Sequence, residues 1–266
     1  MKHAFANAAS SYDEAAVLAR ETGVRMAQRL DLVKIAPTRV ADIGCATGDG
    51  VRELQQRYKS AQVLAIDFAL PMLQAVRERT PRLQRLTRRG PRLVNADVNA
   101  LPLPAGSLGL VWSNLMLQWL DDPLPAFREL NRVLEVSGLL MFATLGPDTL
   151  KELRGAALKV GAGDTARRFP DMHDIGDMLV AAGFADPVMD MEMISFRYSS
   201  PRKFLADQRH LGVRDALLGR QPWRAWRQVF AEWDRNVSFE IVFGHAWKPE
   251  ARQVADGRSV VKFHRK

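Results

Sequence analysis

The sequence predicts an α/β fold built on a mostly parallel sheet, and three observations carry that reading. Short apolar runs alternate with amphipathic helical stretches at the spacing of βαβ units. The first run leads straight into a turn of small residues, DIGCATGDG at 42–50, with a helical stretch after it. Five crossover-connected strands are complete by about residue 145, and two long alternating segments, 187–198 and 237–247, fill the last third.

Residues 12–32 place Val17, Leu18, Val24, Met26, Ala27 and Leu30 on one helical face. After Pro37, RVADIGCATGDG reads as a strand running into glycines, and VRELQQRY as a helix with Val51, Leu54 and Tyr58 on one side. VLAID, 63–67, is a second buried strand that ends in an acid, followed by a helix over 70–79. LVNAD, 93–97, and LGLVWSN, 108–114, are the third and fourth strands. Residues 125–134 form a helix opened by a proline at a permitted first-turn position, and Gly138 then turns the chain into the fifth strand, LLMFATL. DIGDMLVAAGF carries Ile175, Met178, Leu179 and Ala182 on a helical face closed by Gly183. Two further helices, PRKFLADQRHLG and PWRAWRQVFAEW, separate the late alternating segments. The basic stretch 80–92 is an exposed loop or a helical excursion. With no repeat and no linker, the economical organisation is one domain, 1–266, in which segments 1–32 and 200–236 form a helical cover.

Composition narrows the function classes. With 47% hydrophobic residues among 266, the chain fills a sizeable core, which excludes disordered and fibrous classes. A single cysteine excludes a disulfide framework and a cysteine-rich zinc site. The opening residues are interrupted by Asp13 and Glu14 before any long apolar run, unlike a secretory signal, and no stretch is long and uncharged enough to span a bilayer. A cytoplasmic protein without stable membrane association is expected. The net charge of +8 favours acidic partners without choosing among them.

The glycine turn is the sharpest signal. Small residues between a strand and a helix let main-chain amides approach a ligand, and the helix start offers unpaired N–H groups. Asp67 follows Gly44 by 23 positions and ends the next strand, where its carboxylate can accept both hydroxyls of a ribose. The run from Gly44, G-C-A-T-G-D, lacks the second glycine of the dinucleotide fingerprint and puts Asp49 where a pyrophosphate would lie. Asp42, ahead of the turn, suits a cationic or amino-bearing ligand. Together these favour S-adenosyl-L-methionine, a sulfonium with an ammonium and a ribose, over a nicotinamide dinucleotide. Asp97 is placed to accept an adenine amino group, with Val98 beside it as an apolar or main-chain contact. Asn114, ending the fourth strand at the same sheet edge, faces the methionine portion or the transferred methyl.

Tyr12, Gln118 and Trp119 either border the acceptor pocket or serve packing. The five histidines show no ligand spacing, so no metal is expected. Cys45 is a small apolar group, not a nucleophile. Arg82, Arg85, Arg88, Arg89 and Arg92 form a solvated face or a docking patch, without the interleaved aromatics of a single-strand nucleic-acid platform. The fourth strand is followed by SNLM and not by an NPPY-type tetrapeptide, so no nucleic-acid partner is expected.

Over its whole length the chain resembles the malonyl-[acyl-carrier protein] O-methyltransferases of biotin synthesis, within the class I S-adenosylmethionine-dependent methyltransferases. VADIGCATGDG, VLAID, NADVNALPLPAGSLGLVWSN and ELNRVLEVSGLLMFAT carry the superfamily likeness. FANAASSYDEAAVLARE, SNLMLQWLDD, TLGPDTLKELR and FEIVFGHAWKP carry the narrower one. The resemblance implies a Rossmann-like, mostly parallel seven-stranded sheet with helices on both faces. It implies cofactor contacts by Asp42, Gly44, Gly48, Asp67, Met72, Asp97, Val98 and Asn114, and an acceptor side with Tyr12, Gln118, Trp119 and, to receive a carboxylate, Arg209. The partner it implies is an acidic acyl carrier protein bearing malonyl-phosphopantetheine. Ala46 departs from the usual glycine, which is tolerable where φ is negative. A mitochondrial assembly factor that hydroxylates an arginine shares this layout, so an arginine hydroxylase, or a methyltransferase for another small acid, is the alternative.

Overall fold

The computed structural model describes residues 2–86, 90–163 and 165–250. Helices α1 (Lys2–Ala8), α2 (Tyr12–Ala15) and α3 (Val17–Leu30) precede strand β1 (Arg39–Ile43). There follow α4 (Asp49–Arg57), β2 (Gln62–Asp67), α5 (Leu70–Arg79), α6 (Arg82–Leu86), β3 (Arg92–Asn95) and β4 (Leu108–Asn114). A 3-10 turn at Leu117–Trp119 leads to α7 (Leu124–Val133), β5 (Leu134–Leu145), α8 (Lys151–Lys159) and α9 (Met172–Ala181). The chain then forms β6 (Ala185–Arg197), α10 (Pro201–His210), α11 (Arg214–Leu217), α12 (Trp223–Glu232) and β7 (Asn236–Trp247).

The seven strands lie in the order β3-β2-β1-β4-β5-β7-β6. The first five are parallel, and β7 inserts antiparallel between β5 and β6. Chain order reverses at β1, which pairs with β2 on one side and β4 on the other. That reversal opens a crevice outside the carboxyl ends of the strands, where α/β sheets of this type bind ligands. Strand residues alternate between two cores, as the pleat requires. Val40, Leu110, Trp112, Leu139 and Met141 face α3, α4, α5 and α8, whereas Ala41, Val111, Leu140 and Phe142 face α7 and α9. Helices thus cover both faces. No helix among the described residues is long and apolar enough to cross a membrane.

Several elements differ from the sequence reading, each for a physical reason. The helix expected over 12–32 is two helices broken at Ala16 (φ −75°, ψ 29°), because α2 packs on α10 while α3 packs on α4, β4 and β5. The third strand ends at Asn95, so Asp97 lies in the loop beyond it, where its Oδ1 accepts from the Asn99 amide at 2.9 Å. The fifth strand begins at Leu134 and not after Gly138: Leu134 is fully buried, pairs with Leu108, and Ser137 (φ 61°) takes up the irregularity. The alternation of β7 does not mark a solvent face. Its Ser238 and Glu240 are buried, with the Ser238 hydroxyl 2.5 Å from Glu152 Oε1 and Glu240 Oε2 accepting from the Asp148 amide at 2.6 Å. The basic stretch is a helical excursion, α6, at the amino end of β3 and so at the far end of the sheet from the crevice. Arg88 and Arg89 lie outside the described residues.

Candidate active site

The glycine turn is tied to the sheet by its own main chain: the amides of Gly44 and Cys45 both donate to Ile66 O, at 2.9 and 3.0 Å. Gly44 takes φ +76°, and a Cβ there would stand 2.4 Å from Met116 Cγ. Gly48, at φ +96°, ends the turn as the residue before α4. Ala46 also has positive φ, 45°, so the condition under which its methyl would be easily tolerated is not met. An L-residue in that region costs roughly 1–2 kcal/mol. Its amide is used in return: it donates to Asp67 Oδ2 at 3.0 Å.

Asp67, 6% exposed at the end of β2, is held at its other oxygen by the Ala69 amide at 2.8 Å. Burial raises its carboxyl above the ordinary range, and the amide hydrogen bonds pull it back. Asp42 lies beneath the turn, 2% exposed, with Oδ2 buried and unpartnered. Burial, and then the charge of Asp67, push it up to about 8. It is packed under Gly50, where a Cβ would come within 2.5 Å of that oxygen.

A cavity of about 1020 Å³ occupies the crevice. Gly44, Asp67, Met72, Asp97, Val98 and Asn114 all line it, as do Tyr12, Gln118 and Trp119; Asp42 and Gly48 stand behind the wall. Met72 and Val98 are buried, Asp97 exposed. Asn114 is engaged elsewhere as well: its Nδ2 donates to Ala19 O at 2.7 Å and its Oδ1 accepts from Thr22 Oγ1 at 2.8 Å, which clamps α3 to the end of β4. The cavity is roofed by α1, α2 and the α10–α11 region, with Phe5 set edge-on to Trp119 at 6.0 Å. Asp13 fastens α2 to the turn through the Thr47 hydroxyl, at 2.7 Å, and through Arg79. Burial, with the charges of Asp67, Asp49 and Asp42, raises the Tyr12 phenol and keeps it neutral.

Arg209 is a correction. It is exposed on α10 and does not reach the cavity, because the inward face of that helix carries Lys203, Asp207 and Gln208. The cations on the wall are instead Arg167, Arg197 and Lys203. Sequence reading missed Arg167, which sits in GAGDTARRFP, a stretch without helical or strand period; only the tertiary course of that stretch reveals it. Arg197 ends a recognisable alternating strand, and its position at the carboxyl edge was the available signal.

The cavity lining therefore holds Asp67 at the glycine turn and Asp97 beyond β3, together with three cations, of which Arg167 and Lys203 are paired with Asp121 and Asp207, also in the lining. Comparison with known proteins agrees. A family described as "Methyltransferase domain" matches residues 41–142. YcgJ protein from Bacillus subtilis has the same fold, with a TM-score of 0.61 at 14% identity, covering 85% of this chain and 98% of that one. The Malonyl-[acyl-carrier protein] O-methyltransferase of Laribacter hongkongensis is 47% identical over 99% of this chain and 95% of its own length. That of Gallionella capsiferriformans is 46% identical over 98% and 94%. At that identity and coverage, the chain belongs to the malonyl-[acyl-carrier protein] O-methyltransferase family.

Proposed function

We infer that this protein transfers a methyl group from S-adenosyl-L-methionine to the free carboxylate of a malonyl thioester, giving the methyl ester that primes pimeloyl formation in biotin synthesis. The observation that carries the reading is one cavity in the crevice whose lining holds both Asp67, fixed at the glycine turn, and the cations Arg167, Arg197 and Lys203. The residues fit the cofactor: Gly44 and Ala46 bring main chain to the cavity, Asp67 offers a fixed carboxylate to a ribose diol, and Asp42 keeps a buried, unpartnered oxygen beneath the turn. Met72, Val98 and Ile43 would flank an adenine ring, with Asp97 at its amino group. When bound, S-adenosyl-L-methionine supplies an electrophilic methyl on a sulfonium.

No general base is needed at the acceptor, since a carboxylate is already ionised at neutral pH. The work left to the chain is alignment and exclusion of water. Leu115, Trp119, Phe196 and Phe239 provide apolar wall, and the neutral Tyr12 phenol is a hydrogen-bond donor and not a proton acceptor. The acyl carrier is the partner we assign, approaching over α10–α12, whose outer surface exposes Arg202, Arg209, Arg214, Arg220, Arg224 and Arg227. Incubation with malonyl-carrier protein and methyl-labelled cofactor tests the reading. Labelled methyl ester is expected; its absence under conditions where calorimetry shows cofactor bound would overturn it.

A further inference from the structure

Among the described residues three cations line the cavity, and they are not equivalent. Lys203 Nζ lies 2.7 Å from Asp207 Oδ1, itself on the wall, so its charge is already matched. Arg197 is exposed at the last position of the edge strand β6. Arg167 is different. Only 26% of its side chain is exposed, and its backbone is fixed from α11, with its N–H donating to Leu217 O at 2.8 Å and Ala166 bridging to Leu218. Its guanidinium is oriented by the loop after the 3-10 turn: Nη2 donates to Leu120 O at 2.9 Å and to Asp121 Oδ1 at 3.2 Å. Asp121 is also in the cavity lining, but its side chain is 99% exposed, and an ion pair with so solvated a carboxylate is weak.

We propose that Arg167 receives the free carboxylate of the malonyl group, an assignment that rests on the function inferred above. One terminal nitrogen is committed to Leu120 and Asp121, which leaves the remaining guanidinium donors for the substrate. A hold on one carboxylate oxygen suits this chemistry. The nucleophilic oxygen loses charge as its bond to the methyl carbon forms and the carbon–sulfur bond breaks. A two-oxygen clamp would therefore stabilise the reactant more than the transition state. Gripping one oxygen selects and orients the acid while the other attacks. The neutral ester has no charge left to grip, which favours product release. The contribution of Arg167 is accordingly to KM and to selection between acids and neutral acyl groups, more than to kcat.

The test compares malonyl-pantetheine with acetyl-pantetheine by calorimetry, on protein saturated with S-adenosylhomocysteine so that no turnover occurs. The wild-type protein is expected to prefer the malonyl compound by about 10- to 100-fold, the scale of hydrogen bonding to a charged group. Arg167→Gln is expected to erase that preference while acetyl-pantetheine and S-adenosylhomocysteine bind as before. A preference that survives in Arg167→Gln, or an equal loss for both thioesters, overturns the assignment. A wild-type protein that binds the two thioesters equally also overturns the assignment, whereas failure of the functional reading shows separately as absence of labelled methyl ester. Should Arg167→Gln not fold, the unaltered protein decides: malonyl-pantetheine, but not acetyl-pantetheine, shields Arg167 from phenylglyoxal in peptide mass maps. Equal modification under both overturns the proposal.

Discussion

The acid at the glycine turn and the cations of the same cavity are set in place by opposite means. Under the glycine turn, the acid is set by main chain: Asp67 is gripped by the amides of Ala46 and Ala69, and the turn itself hangs on Ile66 O. Elsewhere in the lining, cations are delivered by side chains from three unrelated places, the loop at Arg167, the edge strand at Arg197 and helix α10 at Lys203. A wall made from backbone is inherited with the fold. A wall made from side chains can be exchanged residue by residue.

The largest effect expected from separating the walls falls on the acid side. Asp67→Ala should weaken cofactor binding by about 10- to 100-fold, the scale of one or two charge-assisted hydrogen bonds, with acetyl-pantetheine affinity unmoved. Titration calorimetry giving an unchanged dissociation constant would remove Asp67 from the site. A smaller effect is expected outside the cation wall. Arg202 and Arg209 are seven residues apart on the exposed face of α10. Reversing both to glutamate should raise KM for the carrier-borne substrate by about 3- to 30-fold at low salt, the scale of two surface ion pairs, and by less as salt is added. The pantetheine-borne substrate should be unaffected. Equal losses on both substrates would place the carrier elsewhere.

A third effect is read in stability and not in binding. Asp42 is pushed up to about 8 in the folded chain, against an ordinary value near 4 when unfolded. Between those values the folded state binds more protons than the unfolded one, so this residue's contribution is greatest at low pH and declines as pH rises towards 8. Asp42→Asn should flatten the fall in Tm between pH 5 and 9. A slope identical to that of the wild-type protein would mean that Asp42 is ionised throughout.

The acid wall was legible in the sequence, and the cation wall was not. The turn, the acid ending β2 and the strand-helix alternation are local patterns, written within a few residues of one another. Arg167 comes to Leu120 across 47 positions, through a stretch with no period to read. Arg209 illustrates the converse: helical character was plain, but which face of α10 turns inward depends on how α2 and the strand ends pack against it. The break at Ala16 was hidden for the same reason, because apolar spacing continues through it while the packing partners change.

The clamp between Asn114 and α3 has a consequence for synthesis. Thr22 is separated from Asn114 by 92 positions, and α3 also packs on β5, which comes later still. At about 5–20 residues per second on the ribosome, that helix is made some 5 to 20 s before the strand that will hold it. Its apolar side, with Met26 and Leu30 fully covered in the finished protein, has no sheet to lie on during that interval. During that interval α3 has α4 to pack on but neither β4 nor β5, so its sheet-facing side waits for its final partners.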